Sequence, residues 1–130
     1  MIVIACDEPS SITDAYALIK VMSQRYGATR FHFLASMVKN EKEGRALYTK
    51  IERVVDHYLD ATMLYLGTTA HDDQLRMANK QQKAVVQAAP MAKSSRAYIQ
   101  MAAIVERWEA PTGLSGQVEF FVDRLLQHKA

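Results

Sequence analysis

The sequence predicts an α/β fold: a partial, three-layer parallel sheet of about three strands in βαβαβ order, with additional C-terminal helices. Three observations carry this. Ile2-Val3-Ile4-Ala5-Cys6 is apolar at every position, the pattern of a strand covered on both faces. Apolar runs of strand length then alternate with segments whose apolar residues recur at helical spacing. Helix-start and helix-stop residues separate the two kinds of segment. Strands joined in this order by single helices lie parallel, through right-handed crossovers.

Each element follows from local chemistry. A first helix is predicted from about Ile12 to Arg25, with Ile12, Ala15, Tyr16, Ile19 and Met22 on one face, Ser10 or Ser11 as N-cap, and Gly27 past its end. The second strand is predicted over Phe31 to Val38. It leads to Asn40 as a cap with Glu43 three residues on, and to a helix carrying Leu47, Ile51, Val54, Val55 and Tyr58. A third strand, Met63 to Gly67, runs through Thr68-Thr69-Ala70-His71 to Asp72, which can cap a short helix through Leu75 and Ala78. Helices over about Lys93 to Trp108 and Gly116 to His128 follow, parted by Pro111-Thr112-Gly113.

Composition limits the function. A chain of 130 residues suits one domain able to bury a core without disulfides or metal. The net charge of +2 comes from 16 basic and 14 acidic residues spread along the chain, too weak a bias to argue for nucleic acid. The single cysteine, Cys6, sits in an apolar run and fits a buried strand residue in a reducing cytoplasm. No stretch approaches the roughly 20 apolar residues that span a bilayer, so the expectation is a cytoplasmic protein that could still lie on a membrane surface.

In an open parallel sheet, ligands sit beyond the carboxyl ends of the strands. Three polar loops lie at that edge: Asp7 to Ser11, Ser36 to Asn40, and Thr68 to Asp73. Ser10, Asn40 and Asp72 there read first as helix caps and only second as ligand contacts. No G-x-x-x-x-G-K-[ST] or G-x-G-x-x-G run is present, and the glycines at 27, 44, 67, 113 and 116 are scattered, so no phosphate cradle is evident. His32, His57, His71 and His128 have no metal-ligand spacing, and no catalytic triad is legible. A receiver-like domain with Asp7 as its strand-end carboxylate would need about five parallel strands, and only three are convincing.

Four blocks, "CDEPSSITDAYALIKVMS", "EGRALYTKIERVVDHYLDATMLYLG", "DDQLRMANKQQKAVV" and "GQVEFFVDRLL", resemble the C-terminal half of the FlhG family, also called FleN or YlxH. These are MinD-like, deviant Walker ATPases of the ParA class that limit flagellar number. The resemblance runs in order over essentially the whole chain. It implies that residues 1–110 are the C-terminal half of a MinD-like P-loop NTPase domain and 111–130 a linker and amphipathic helix. The phosphate-binding half would lie upstream of Ile2.

The resemblance also implies roles. Glu8 matches an acidic residue that reaches toward the partner's nucleotide in the dimer, and Asp14 lies on the interface helix. Ser36 and Met37 fall where relatives carry the asparagine and methionine of an adenine pocket, completed by Ala70, His71 and Asp72. Ser36 replaces that asparagine, and a hydroxyl cannot offer the amide's paired donor and acceptor at the same reach. Ala70 likewise replaces a usual proline. ATP and Mg would belong to the intact protein, with none held tightly by this chain alone, so no hydrolysis is expected of it. Implied partners are a second copy, a flagellar transcription activator and the GTPase FlhF, with no direct nucleic acid.

The tail repeats apolar residues at helical spacing: Val118, Phe121, Val122 and Leu125, widened by Phe120 and Leu126. Such a helix either docks on its own domain or lies on an anionic inner membrane or at the cell pole. The function implied is regulation of flagellar number and placement through ATP-dependent dimerisation, membrane association and antagonism of a transcription activator. The alternative is a degenerate or truncated protein-interaction module that binds no nucleotide.

Overall fold

The computed structural model describes residues 1–109. Its elements are β1 (Ile2–Ala5), α1 (Pro9–Tyr26), β2 (Arg30–Val38), α2 (Glu41–Tyr58), β3 (Thr62–Ala70), α3 (Asp73–Lys80), α4 (Val85–Ala88) and α5 (Lys93–Val105). The strands form one parallel sheet, as the sequence predicts, and their order in it is β1-β2-β3.

Helices α1 and α2 cover one face of the sheet. Val3 and Ala5 of β1, Phe31 and Phe33 of β2, and Met63 of β3 meet Ala15 and Ile19 of α1 and Leu47, Ile51 and Val55 of α2. Removing a large apolar side chain of this kind from water is worth about 1.5–3 kcal/mol, so this layer is the main source of stability. Two glycine-permitted approaches tighten the packing. A Cβ on Gly44 would run into the Thr68 side chain and come within 3.2 Å of Ala35 Cβ. One on Gly67 would meet Met101 Sδ at 2.8 Å.

The opposite face is only partly clothed. Leu34 and Leu66 pack beneath Met101 of α5, and Ala78, Val85 and Ala92 tie α3, α4 and α5 into one layer. Trp108, just past α5, stacks on His32 at a centroid distance of 3.8 Å. Because α5 packs on β3, β1 is left bare on this side: Ile2 is 41% and Ile4 60% exposed. The uniformly apolar first strand is therefore covered on one face, not two, among the described residues.

Several boundaries differ from expectation. Helix α1 starts three residues early because Pro9 fits the first helical position with its fixed φ and missing N–H. Glu8 occupies the cap position without a side-chain capping bond, so neither serine caps the helix. Ser11 Oγ instead accepts a hydrogen bond from the Cys6 N–H at 3.0 Å and closes the loop after β1. Gly27 ends α1 in the left-handed region, φ 66°, as expected. Strand β3 continues through Thr68, Thr69 and Ala70, which the sequence assigns to a loop; Thr69 is fully buried there, and Thr68 and Ala70 pair with Ala35 and Val38. The short helix α4 has no sequence signature at all, being one turn long. The predicted helix over 116–128 lies outside the described residues.

Candidate functional site at the carboxyl edge of the sheet

The carboxyl ends of all three strands open onto one edge, and several of the sequence-predicted residues, Glu8, Met37, His71 and Asp72, lie there. After β1, Cys6, Asp7 and Glu8 line a cavity of about 210 Å³ together with Met37, Lys39, Glu43 and His71. A second cavity, about 470 Å³, lies between Met37 and α3 and is lined by His71, Asp72, Asp73, Leu75, Arg76, Asn79 and Lys80. Met37 and His71 line both, so the two cavities are neighbours on this edge.

Local chemistry shapes each wall. Asn40 caps α2 by accepting from the Glu43 N–H at 2.9 Å, and Glu43 Oε2 accepts from the Lys39 N–H at 2.7 Å. This holds the β2–α2 turn rigid. Met37 has φ 53°, a left-handed conformation rare outside glycine and asparagine. It coincides with a register break between Ala35 and Val38, and the side chain stands about half exposed at the junction of the two cavities. The His71 N–H donates to Val38 O at 3.0 Å, tying the end of β3 to the end of β2.

Asp72 holds two helices. Its Oδ1 accepts from the Gln74 N–H at 3.0 Å, capping α3, and its Oδ2 accepts from both the N–H and the hydroxyl of Ser94, at 2.9 and 2.7 Å. Helix α5 has Ala92 at its own cap position and no local capping side chain. These bonds, led by the Ser94 N–H, hold the Asp72 carboxyl below its ordinary value. The carboxylate is thus committed to structure, while its chain neighbour His71 is exposed.

The remaining implied residues are less convergent. Ser36 is half-buried and its Oγ accepts from Thr69 Oγ1 at 3.3 Å; neither Ser36 nor Ala70 lines either of these two cavities. Glu8 lines the smaller cavity, and Asp14 is exposed on α1. Asp7 pairs with Lys50 of α2 at 3.2 Å, a structural use of that carboxylate. Arg76, Asn79 and Lys80 were not legible as site residues; their i, i+3, i+4 spacing on α3 is the signal that places them on one wall. Val118, Phe120, Phe121, Val122, Leu125 and Leu126 lie outside the described residues. Among the described residues no group of three or more His, Cys, Asp or Glu could hold a metal, and no helix is long and apolar enough to cross a membrane.

Comparison with known proteins bears on this edge. No family model matches the chain. The protein "Antiactivator FleN" of Pseudomonas aeruginosa is 44% identical over all 130 residues, which cover 46% of its length. The protein "Flagellum site-determining protein YlxH" of Helicobacter pylori is 30% identical over 106 residues, 81% of this chain and 35% of that protein. The chain thus spans less than half the length of the curated relatives it matches. Along its whole length the chain is similar to a part of the FleN protein, and over 106 residues to a part of the YlxH protein.

Proposed function

We propose that the chain acts as the C-terminal portion of a MinD-like regulator of flagellar number and placement, one that antagonises a flagellar transcription activator. The observation that carries this is the 44% identity to an antiactivator along every residue of the chain. In this reading the carboxyl edge forms the base side of a nucleotide site shared with the rest of a longer protein. The larger cavity is of a size that suits a nucleoside, since ligand sites run from about 300 to 1,000 Å³. Met37 and His71 would border the base, Glu8 and Asp14 would face a second subunit, and the segment 116–130 would meet an anionic membrane. ATP and Mg would be held chiefly by residues outside this chain, whose sequence offers no glycine-rich phosphate loop. A GTPase of the FlhF type is the second protein partner proposed.

One observation favours a second reading, a protein-interaction module that binds no nucleotide. Asp72 is occupied by two helix starts and Ser36 by Thr69, so two of the five implied base-pocket side chains already have partners. A graft separates the readings. This chain replaces the matching part of Pseudomonas aeruginosa FleN in a strain lacking FleN, and flagella are counted per cell. Restored flagellar number supports the regulator. Cells that remain misflagellated with the graft stably present, dimeric and ATP-binding would overturn it. Restored number by a graft that binds no ATP would favour the nucleotide-free module.

A further inference from the structure

Taken over the whole chain the charges look evenly mixed, but the fold segregates them. From Asp73 to Val105, the stretch that forms α3, α4 and α5, there are five cations and one carboxylate, Asp73. The cations are Arg76, Lys80, Lys83, Lys93 and Arg96, and every one is exposed and outside the ion pairs found among the described residues. Helices α1 and α2, on the other side of the sheet, instead carry six cations with five carboxylates. The buried cluster of Ala78, Val85 and Ala92 binds α3 to α5 into a single layer, so the five charges decorate one body.

Large apolar side chains stand exposed on the same layer. Met77 of α3 is 60% exposed, Met91 before α5 is 81% exposed, and Ile99 of α5 is 55% exposed. Each is near in sequence to a residue of that layer that is buried, so the helices cannot turn these groups inward without losing their core. Exposed methionines with arginines form the composition of adaptable protein-docking surfaces. Within a Debye length of about 8–10 Å an uncompensated cation attracts anionic partners at physiological salt.

We infer that the exposed surface of the α3–α5 layer, from the cavity wall at Arg76 and Lys80 onward, is a docking surface for a carboxylate-rich protein segment that also carries apolar side chains. The carboxylates would meet Arg76, Lys80 and Arg96, and the apolar groups would meet Met77, Met91 and Ile99. Chemistry selects this occupant over the other polyanions. Single-stranded nucleic acid is held by aromatic platforms on which bases stack, and the only aromatic residue of this layer, Tyr98, is half-buried against the core. An interfacial membrane helix needs one continuous apolar stripe, whereas these apolar groups project from two helices and a loop. Arg76 and Lys80 also line the larger cavity, so this surface adjoins the site of the nucleotide reading; the inference itself needs no ATP, and its test is run without nucleotide.

The test uses the purified 130-residue chain and a fluorescent random copolymer of glutamate and tyrosine, with poly-glutamate, phosphatidylglycerol vesicles and single-stranded DNA as competitors. Two triple variants are compared: Arg76→Glu, Lys80→Glu, Arg96→Glu, and Lys20→Glu, Lys42→Glu, Arg53→Glu on α1 and α2. Each takes the net charge from +2 to −4, so bulk charge is matched. All six positions are exposed, and circular dichroism checks that both variants fold. A third variant, Met77→Ser with Met91→Ser, probes the apolar contribution at constant charge. The expected result is copolymer binding weakened about tenfold or more by the first variant, two- to threefold or less by the second, and measurably by the third. Equal weakening by the two charge variants, binding indifferent to the methionines, no copolymer binding, or tighter layer-dependent binding of vesicles or DNA would each overturn the inference.

Discussion

Asp72 and Ser94, 22 residues apart, are joined by two hydrogen bonds, of 2.9 Å from the Ser94 N–H and 2.7 Å from its hydroxyl, both to Asp72 Oδ2. With the bond from the Gln74 N–H, one carboxylate at the end of β3 starts two helices. This relationship fixes α5 to the edge where the candidate site lies. It also explains why α5 can begin at Ala92 without a cap of its own.

Replacing Asp72 by Ala removes acceptors from both helix starts and strands the buried Ser94 hydroxyl. The expected loss is about 2–3 kcal/mol, from the cost of a lost cap and of an unpaired buried polar group. Urea unfolding followed by circular dichroism measures it. Asp72→Glu should recover little, because its longer side chain cannot hold both helices at these distances.

The same carboxylate sets an acid dependence. Its folded-state value lies below the ordinary 3.8. Its contribution is therefore fully present above that value and is lost as pH falls through the depressed folded value. Asp72→Asn should flatten the stability profile below about pH 4 relative to the parent chain, which acid titration of the urea midpoint reads directly.

His32 behaves as a second, separate sensor. Its Nδ1 is buried without a hydrogen-bond partner, and burial, with the N-terminal ammonium and Arg30, holds the imidazole below its ordinary 6.5. The folded state therefore prefers the neutral ring. Stability is fully present above pH 6.5 and declines as pH falls from there toward the lowered folded value. His32→Phe keeps a ring against Trp108 and removes the unpaired nitrogen. It should abolish this decline and leave stability at pH 8 equal or higher by about 1 kcal/mol, with Trp108 fluorescence as the readout.

Gly44 and Gly67 should respond unequally to alanine. At Gly44 the new methyl meets Thr68, a β3 residue whose hydroxyl is bonded to Tyr65, and also Ala35; neither can withdraw easily. At Gly67 it meets the flexible end of Met101. Gly44→Ala should cost about 2–3 kcal/mol, within the range for overpacking, and Gly67→Ala less than about 1.5. Thermal denaturation of the two variants side by side checks the order.

Most of the sheet was legible because its signals are local. The helical stripe of Ala15, Ile19 and Met22, Gly27 as a left-handed stop, and Asn40 with Glu43 all act within a few residues of themselves. What escaped depends on distant contacts. Thr68 to Ala70 read as a loop because they are polar or small, yet pairing with Ala35 and Val38 makes them strand. Asp72 was legible as the cap of α3, but nothing in the spacing shows that Ser94 would take its second oxygen. The exposure of Ile4 escaped for the same reason: an apolar run tells what a strand could cover, not which neighbours are there to cover it. At the candidate site Met37, His71 and Asp72 lie on the loops that follow the strands and line the cavities at the carboxyl edge, while the wall of Arg76, Asn79 and Lys80 needed the orientation of α3.

The central proposal is that this chain contributes the base side of a nucleotide site and leaves phosphate chemistry to other residues of a longer protein. Its most direct test is ATP turnover by the purified 130-residue chain, run beside the FleN graft at equal concentration. The expected result is no phosphate release above background from the chain and Mg-dependent release from the graft. Turnover by the chain that co-purifies with it through successive columns, or a folded, dimeric graft that neither binds nor hydrolyses ATP, would contradict it.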